Sequence, residues 1–169
     1  MLAIAPPGRL PFRYRLDAAR TLTNGTSVQS IFNVGCTVPI GIYRIQMFVM
    51  LSTGTSSHDV DLGMGGTATW TATDFTHRTR GLRLAANANS TTPNLRWNDT
   101  LTNGTGQATG ISGSTIASKL IEFMGTVKLS AGGTLIPQLK FSAAPGGTNT
   151  VKLGSWVTIE PFANSGPWA

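Results

Sequence analysis

Apolar and polar residues alternate one for one along much of this chain, a two-residue period that predicts β-strands rather than helices. The strongest run covers 41–51. Tyr43, Ile45, Met47 and Val49 fall on one face, and the other face carries Arg44 and Gln46 before turning apolar at Phe48 and Met50. A strand that becomes apolar on both sides sits in the middle of a sheet or under a partner. The final third is equally regular. Residues 120–130 alternate through Ile121, Phe123, Gly125, Val127 and Leu129, and 134–143 through Leu135, Pro137, Leu139 and Phe141. Pro145-Gly146-Gly147 is a turn, 151–153 is short, and 156–160 closes the pattern. These strands follow one another through short turns, which predicts an antiparallel meander.

The first two-thirds are patterned more loosely. Residues 1–16 read as an arm, because Pro6, Pro7 and Pro11 exclude regular helix and central strand. Within it Phe12, Tyr14 and Leu16 alternate with Arg13 and Arg15. That stretch fits either an edge strand of its own domain or an extension laid on a neighbouring subunit. Residues 21–34 give a strand pair or one bent strand around Asn24-Gly25. Short strands are expected at 59–62, at 67–73 around Trp70, and at 81–85, at the spacing of a sandwich or barrel. Residues 86–118 carry the weakest pattern, with Leu95-Arg96-Trp97 as one short strand. The word Thr-Leu-Thr-Asn-Gly-Thr occurs at 21–26 and again at 100–105. Two copies fall short of a repeat architecture.

Composition supports the strand reading. Gly, Ser, Thr and Asn are abundant and helix formers are scarce, as in short strands joined by loops. With 169 residues the chain suits one domain plus a short arm, here 1–16 and 17–169. Only 12% of residues are charged, and 13 basic residues against 7 acidic ones leave a formal net of +6. Arg9, Arg13, Arg15 and Arg20 cluster near the start, and Arg78, Arg80 and Arg83 share one segment. No aromatic-interleaved motif accompanies either group, so no nucleic-acid partner is expected. No apolar run approaches the ~20 residues that span a bilayer, and no membrane partner is expected. Residues 1–7 lack the charged start and apolar run of a signal peptide, which predicts a protein used without secretion.

Candidate chemistry is sparse. The single Cys36 excludes an intrachain disulfide and lies in an apolar stretch, as a buried structural thiol does. His58, Asp59 and Asp61 make the best polar cluster; on a strand the two carboxylates face the same way and suit a hard cation, or simply water. Gly63-Met64-Gly65-Gly66 lacks the lysine and helix of a phosphate cradle. No metal-spaced His or Cys motif and no nucleophile elbow is present, so neither a cofactor nor catalysis is expected. Trp70, Trp97, Trp156 and Trp168 fit a core, a subunit interface or a sugar-stacking face.

The carboxy-terminal segment resembles a module of tailed-bacteriophage virion proteins. The residues that carry the resemblance are Phe123-Met124-Gly125-Thr126-Val127-Lys128, Gly132-Gly133-Thr134-Leu135-Ile136-Pro137-Gln138, Phe141-Ser142-Ala143-Ala144 and Gly154-Ser155-Trp156-Val157-Thr158-Ile159. Gly41-Ile42-Tyr43-Arg44-Ile45 is similar to the first long core strand of that family. The resemblance implies an antiparallel jelly-roll sandwich of the tumour-necrosis-factor/C1q kind, assembled as a homotrimer. It implies a head decoration (cement) protein on the outer capsid surface, bound to the major capsid protein and made in the host cytoplasm. A head-fibre or tail-fibre tip that binds host polysaccharide is the alternative, and a C1q-like cellular binding module is a third. On the decoration reading Arg9, Phe12, Arg13, Tyr14, Arg15 and Arg20 contact the capsid. Tyr43, Phe48, Phe123, Phe141 and Trp156 then form the trimer interface or the core.

Overall fold

The computed structural model describes residues 11–71, 74–84, 98–99, 108–114 and 118–163. Every named element among them is a β-strand. In chain order these are β1 (Phe12–Arg15), β2 (Arg20–Leu22), β3 (Gln29–Ser30), β4 (Cys36–Val38), β5 (Gly41–Ser52), β6 (His58–Gly65) and β7 (Phe75–Leu84). They continue with β8 (Asn98–Asp99), β9 (Ala108–Ser114), β10 (Ser118–Leu129), β11 (Gly133–Phe141), β12 (Asn149–Val151) and β13 (Trp156–Ala163).

The strands form two antiparallel sheets. The larger runs β1-β13-β5-β10-β7-β8, with β12 beside β5 and β2 beside β12. The smaller runs β3-β11-β6-β9, with β4 also paired to β11. Counting β3 and β4 as one interrupted strand, and setting aside β2, β7, β8 and β12, leaves eight main strands. Their order is first-eighth-third-sixth in one sheet and second-seventh-fourth-fifth in the other. That is the jelly roll, two Greek keys wrapped into a sandwich. The β7–β8 insertion, between the fourth and fifth strands, widens the larger sheet past β10.

Alternation sets which residues fill the sandwich. From the larger sheet come Tyr43, Ile45, Met47, Val49 and Leu51 of β5, Ile121, Phe123 and Val127 of β10, and Val157 and Ile159 of β13. Val60, Leu62, Leu135, Leu139 and Phe141 face them from the smaller sheet. Phe75, His77 and Phe123 make an aromatic cluster at the β7–β10 junction, with centroids 4.7 to 6.1 Å apart. Gly125 sits opposite His77 in register. A Cβ there would meet the His77 Cβ at 2.9 Å, so the missing side chain is what lets these rings close up.

The meander expected for the last third is not formed. β10 pairs β5 and β7, β11 pairs β3, β4 and β6, and β13 pairs β1 and β5. β10 and β11 lie in different sheets and meet across the core, while β12 and β13, both in the larger sheet, follow each other along β5 instead of pairing with each other. The expected strand at 67–73 is a loop over its described part, tied to the β10–β11 connection by an isolated bridge between Thr69 and Ala131 and to β11 by hydrogen bonds from Thr67 and Ala68 to Thr134. Trp70 packs edge-on against Phe75 at 5.9 Å. Residues 12–15 of the expected arm are an edge strand of the domain's own sheet. Phe12 and Tyr14 turn toward the core, and Tyr14 meets Phe32 edge-on at 6.0 Å. The short strand expected at 95–97 lies outside the described residues. The turn at 145–147 forms as expected, with φ of +74° at Gly146 and +56° at Gly147.

Candidate interface on the outer face of the larger sheet

The outward side chains of β1, β13, β5, β10 and β7 lie in rows set by the pairing register. One row is Arg15, Trp156, Phe48, Glu122 and Arg80; the next is Arg13, Thr158, Gln46, Met124 and Arg78. Met50 and Leu120 stand opposite each other on the row before, and Glu160, Arg44, Thr126 and Thr76 form the row after. Phe48, Trp156, Met50, Leu120 and Met124 thus lie in the middle of the face among Thr158, Gln46 and Glu122, with arginines on β1 and β7 to either side. Tryptophan, phenylalanine, methionine and arginine are the residue types enriched where proteins meet.

The central feature is a cross-strand pair. The rings of Phe48 and Trp156 are stacked at 8° with centroids 6.2 Å apart, and both are half-buried. Ser155 sets this position. Its Oγ accepts from the Met50 N–H at 3.0 Å and donates to the Lys152 carbonyl at 2.9 Å, pinning the start of β13 against β5. The side chain of Ser155 is fully buried, which accounts for a small polar residue just before the Trp. Exposed apolar residues extend the surface: Met124 is 54% exposed, Leu153 55% and Phe162 62%.

Beside the aromatic pair lies a shallow dish of about 270 Å³, lined by Arg44, Thr76, Arg78, Met124 and Thr126, with His77 and Gly125 at its floor. Arg44 is oriented by Glu160, whose Oε1 accepts from Nη2 at 2.7 Å and from Nε at 3.1 Å. At 48% exposure of the arginine side chain this pair adds at most ~1 kcal/mol, so it aims the guanidinium more than it stabilises the fold. Among the described residues, Arg13, Arg15, Arg44, Arg78, Arg80 and Lys128 share this face with Glu122 and Glu160, Asp74 lies within electrostatic reach of Lys128, and Asp99 of β8 is in register with Arg78.

The residues singled out from sequence divide as follows. Arg13 and Arg15 point outward beside Trp156 and Phe48, so two sets assigned to different contacts share one surface. Tyr43, Phe123 and Phe141 are core, each no more than 2% exposed. Phe12 and Tyr14 pack inward, and Arg20 donates from Nη1 to the Ser30 carbonyl inside the domain. Arg9, Trp97 and Trp168 lie outside the described residues. Cys36 is buried, and burial pushes its thiol up to about 11. The His58–Asp59–Asp61 cluster is split, because His58 turns into the core against Phe141 while both aspartates face outward on β6. Among the described residues no three His, Cys, Asp or Glu side chains are grouped to hold a metal, and no helix is long and apolar enough to cross a membrane. Sequence reasoning missed the dish, which brings Arg44 on β5 toward Arg78 on β7 across β10. The even-numbered run Thr76, Arg78, Arg80 was the visible signal, but its neighbours come only from register.

No protein-family model matches the chain, and no curated protein matches it. Among solved structures it is similar to the subviral particle of infectious bursal disease virus VP2, at 10% identity and a TM-score of 0.24, covering 97% of this chain and 42% of that one. It is also similar to infectious bursal disease virus of the Gx strain, at 10% identity and a TM-score of 0.22, covering 94% of this chain and 44% of that one. The chain spans less than half the length of either, and scores this low carry no functional weight.

Proposed function

We propose that this protein is a structural, non-enzymatic component of a virion: a decoration (cement) protein that binds the outer surface of a tailed-bacteriophage head as a homotrimer. The observation that carries this reading is the outer face of the larger sheet, where a Phe48–Trp156 stack is flanked by Arg13, Arg15, Arg78 and Arg80. The jelly roll and the resemblance of 121–160 to virion modules support it. Both the arginines of β1 and the aromatic pair belong to one surface, which serves one partner, and that partner is the major capsid protein. A trimer holds three such faces on one particle, so modest contacts multiply into avidity, and binding the assembled shell stabilises it by mass action.

Co-sedimentation of the purified protein with decoration-free heads tests this reading, with saturable binding and a raised head-disruption temperature as the expected result. Heads that neither bind the protein nor gain stability overturn it. Sedimentation equilibrium of the free protein tests the trimer. A second reading, a head-fibre or tail-fibre tip that binds host polysaccharide, draws on the near-parallel Phe48 and Trp156 rings, since aromatic faces stack on sugars. Retention on immobilised host polysaccharide, lost in Trp156→Ala, favours it over decoration.

A further inference from the structure

The word Thr21-Leu22-Thr23-Asn24-Gly25-Thr26 takes no part in the outer face, and its Asn-Gly step lies in the β2–β3 connection. Asn24 clasps three connections at one end of the sandwich. Its Oδ1 accepts from the Gly146 N–H at 2.9 Å and from Asn149 Nδ2 at 3.4 Å, while Asn149 Oδ1 accepts from the Gly54 N–H at 3.0 Å. A backbone N–H can only donate, so Gly146 fixes which end of the Asn24 amide is oxygen. Among the described residues neither Asn24 Nδ2 nor the Gly25 N–H makes a hydrogen bond. Asn24 is exposed, and a Cβ on Gly25 would have no neighbour within 4 Å. The side-chain carbonyl is thus polarised by two donors, while the neighbouring backbone nitrogen and the amide nitrogen are both open to water. Bonding the Gly25 nitrogen to Asn24 Cγ closes a five-membered ring within one dipeptide, and glycine offers that closure the least steric resistance.

We propose that Asn24-Gly25 is a self-modification site, at which the folded protein converts Asn24 through a succinimide into aspartate and isoaspartate. The Gly25 nitrogen gives its proton to hydroxide and attacks Asn24 Cγ. Negative charge gathers on Oδ1, where the Gly146 N–H and Asn149 Nδ2 already donate. The Cγ–Nδ2 bond breaks, and the nitrogen takes a proton from water and leaves as ammonia. Water then opens the ring at either carbonyl. Opening at Cγ gives aspartate, which keeps an acceptor for both donors. Opening at the backbone carbonyl gives isoaspartate, which carries the chain on through Cγ and takes the carboxylate out of the clasp. The reaction needs no partner, and so stands whatever this protein binds.

Incubation of the purified protein at pH 8, followed by digestion in mildly acidic buffer, tests the site on the tryptic peptide 21–44, which also holds Asn33. Asn24 should gain one mass unit at least tenfold faster than Asn33, with part of the product methylated by an isoaspartyl methyltransferase. Gly25→Ala has room for its Cβ and should keep the fold while slowing the gain at least tenfold. No gain at Asn24, or an unchanged rate in Gly25→Ala, overturns the proposal. The free peptide 20–30 supplies the second comparison. A folded-state rate equal to or above the peptide's is expected from the polarised carbonyl; a rate more than tenfold below it makes the clasp a lock against the reaction and overturns the site. In the isoaspartate fraction the amide signals of Gly54 and Gly146 should shift, and unmoved signals overturn the opening of the clasp.

Discussion

Burial holds the His77 imidazole neutral, with its pKa lowered to about 4 and neither ring nitrogen hydrogen-bonded among the described residues. The unfolded group titrates at 6.5, so below that pH the unfolded state binds more protons than the native state. Stability is therefore full above 6.5 and falls as pH drops toward 4, by up to about 3 kcal/mol from this residue. His58, also lowered chiefly by burial, adds a loss of the same sign. Urea midpoints at pH 7 and pH 4.5 should fall steeply for wild type and less for His77→Phe, which keeps the ring and removes two unsatisfied nitrogens. An equal fall in both proteins contradicts this account. The thiol of Cys36, pushed up to about 11 by burial, should not react with a disulfide reagent at pH 8 until the protein unfolds. Its burial was legible in the apolar residues around it. That of His77 was marked only indirectly, by the outward run Thr76, Arg78 and Arg80, which leaves position 77 on the inward face with Phe75 and Thr79.

At the scale of elements, alternation told which side chains face the core but not which sheet each strand joins. Both sheets line the same core, so strands neighbouring in one sheet and strands facing across it carry the same inward pattern. The meander failed for that reason, while the turn at Pro145-Gly146-Gly147 was legible because its glycines have a local conformational cause. That turn comes close to the β5–β6 connection: a Cβ on Gly54 would lie 2.0 Å from the Gly146 carbonyl oxygen. Gly54→Ala should cost about 1–3 kcal/mol, read as a lower urea midpoint with an unchanged slope. Strand β1 makes the second case. Deleting residues 1–16 removes Phe12 and Tyr14 from the core edge and uncovers β13, so the unfolding midpoint should drop. Arg13→Ala and Arg15→Ala point outward and should leave it within ~0.5 kcal/mol of wild type. If the deletion melts at the wild-type temperature, the edge-strand account is wrong.

For the whole molecule, the jelly roll separates a buried core from an outer sheet face that combines aromatic stack, methionines and flanking arginines. The core was largely readable from period-two alternation, down to Phe123 and Phe141. The face was readable only in pieces, because Arg13, Phe48, Met124, Arg78 and Trp156 are far apart in sequence and come together through four strand pairings. Loss of the stack in Phe48→Ala/Trp156→Ala should weaken partner binding at least tenfold, with the half-buried rings costing less stability than Phe123→Ala, whose fully buried ring is worth about 3–5 kcal/mol. Radical footprinting of free and head-bound protein reads these same side chains, because tryptophan, methionine and phenylalanine oxidise readily. Strong protection of Trp156, Phe48 and Met124 on binding, with Leu153 as a flanking reporter, is the predicted result. Unchanged oxidation of Trp156 and Met124 in bound protein would show that the partner meets this molecule somewhere else.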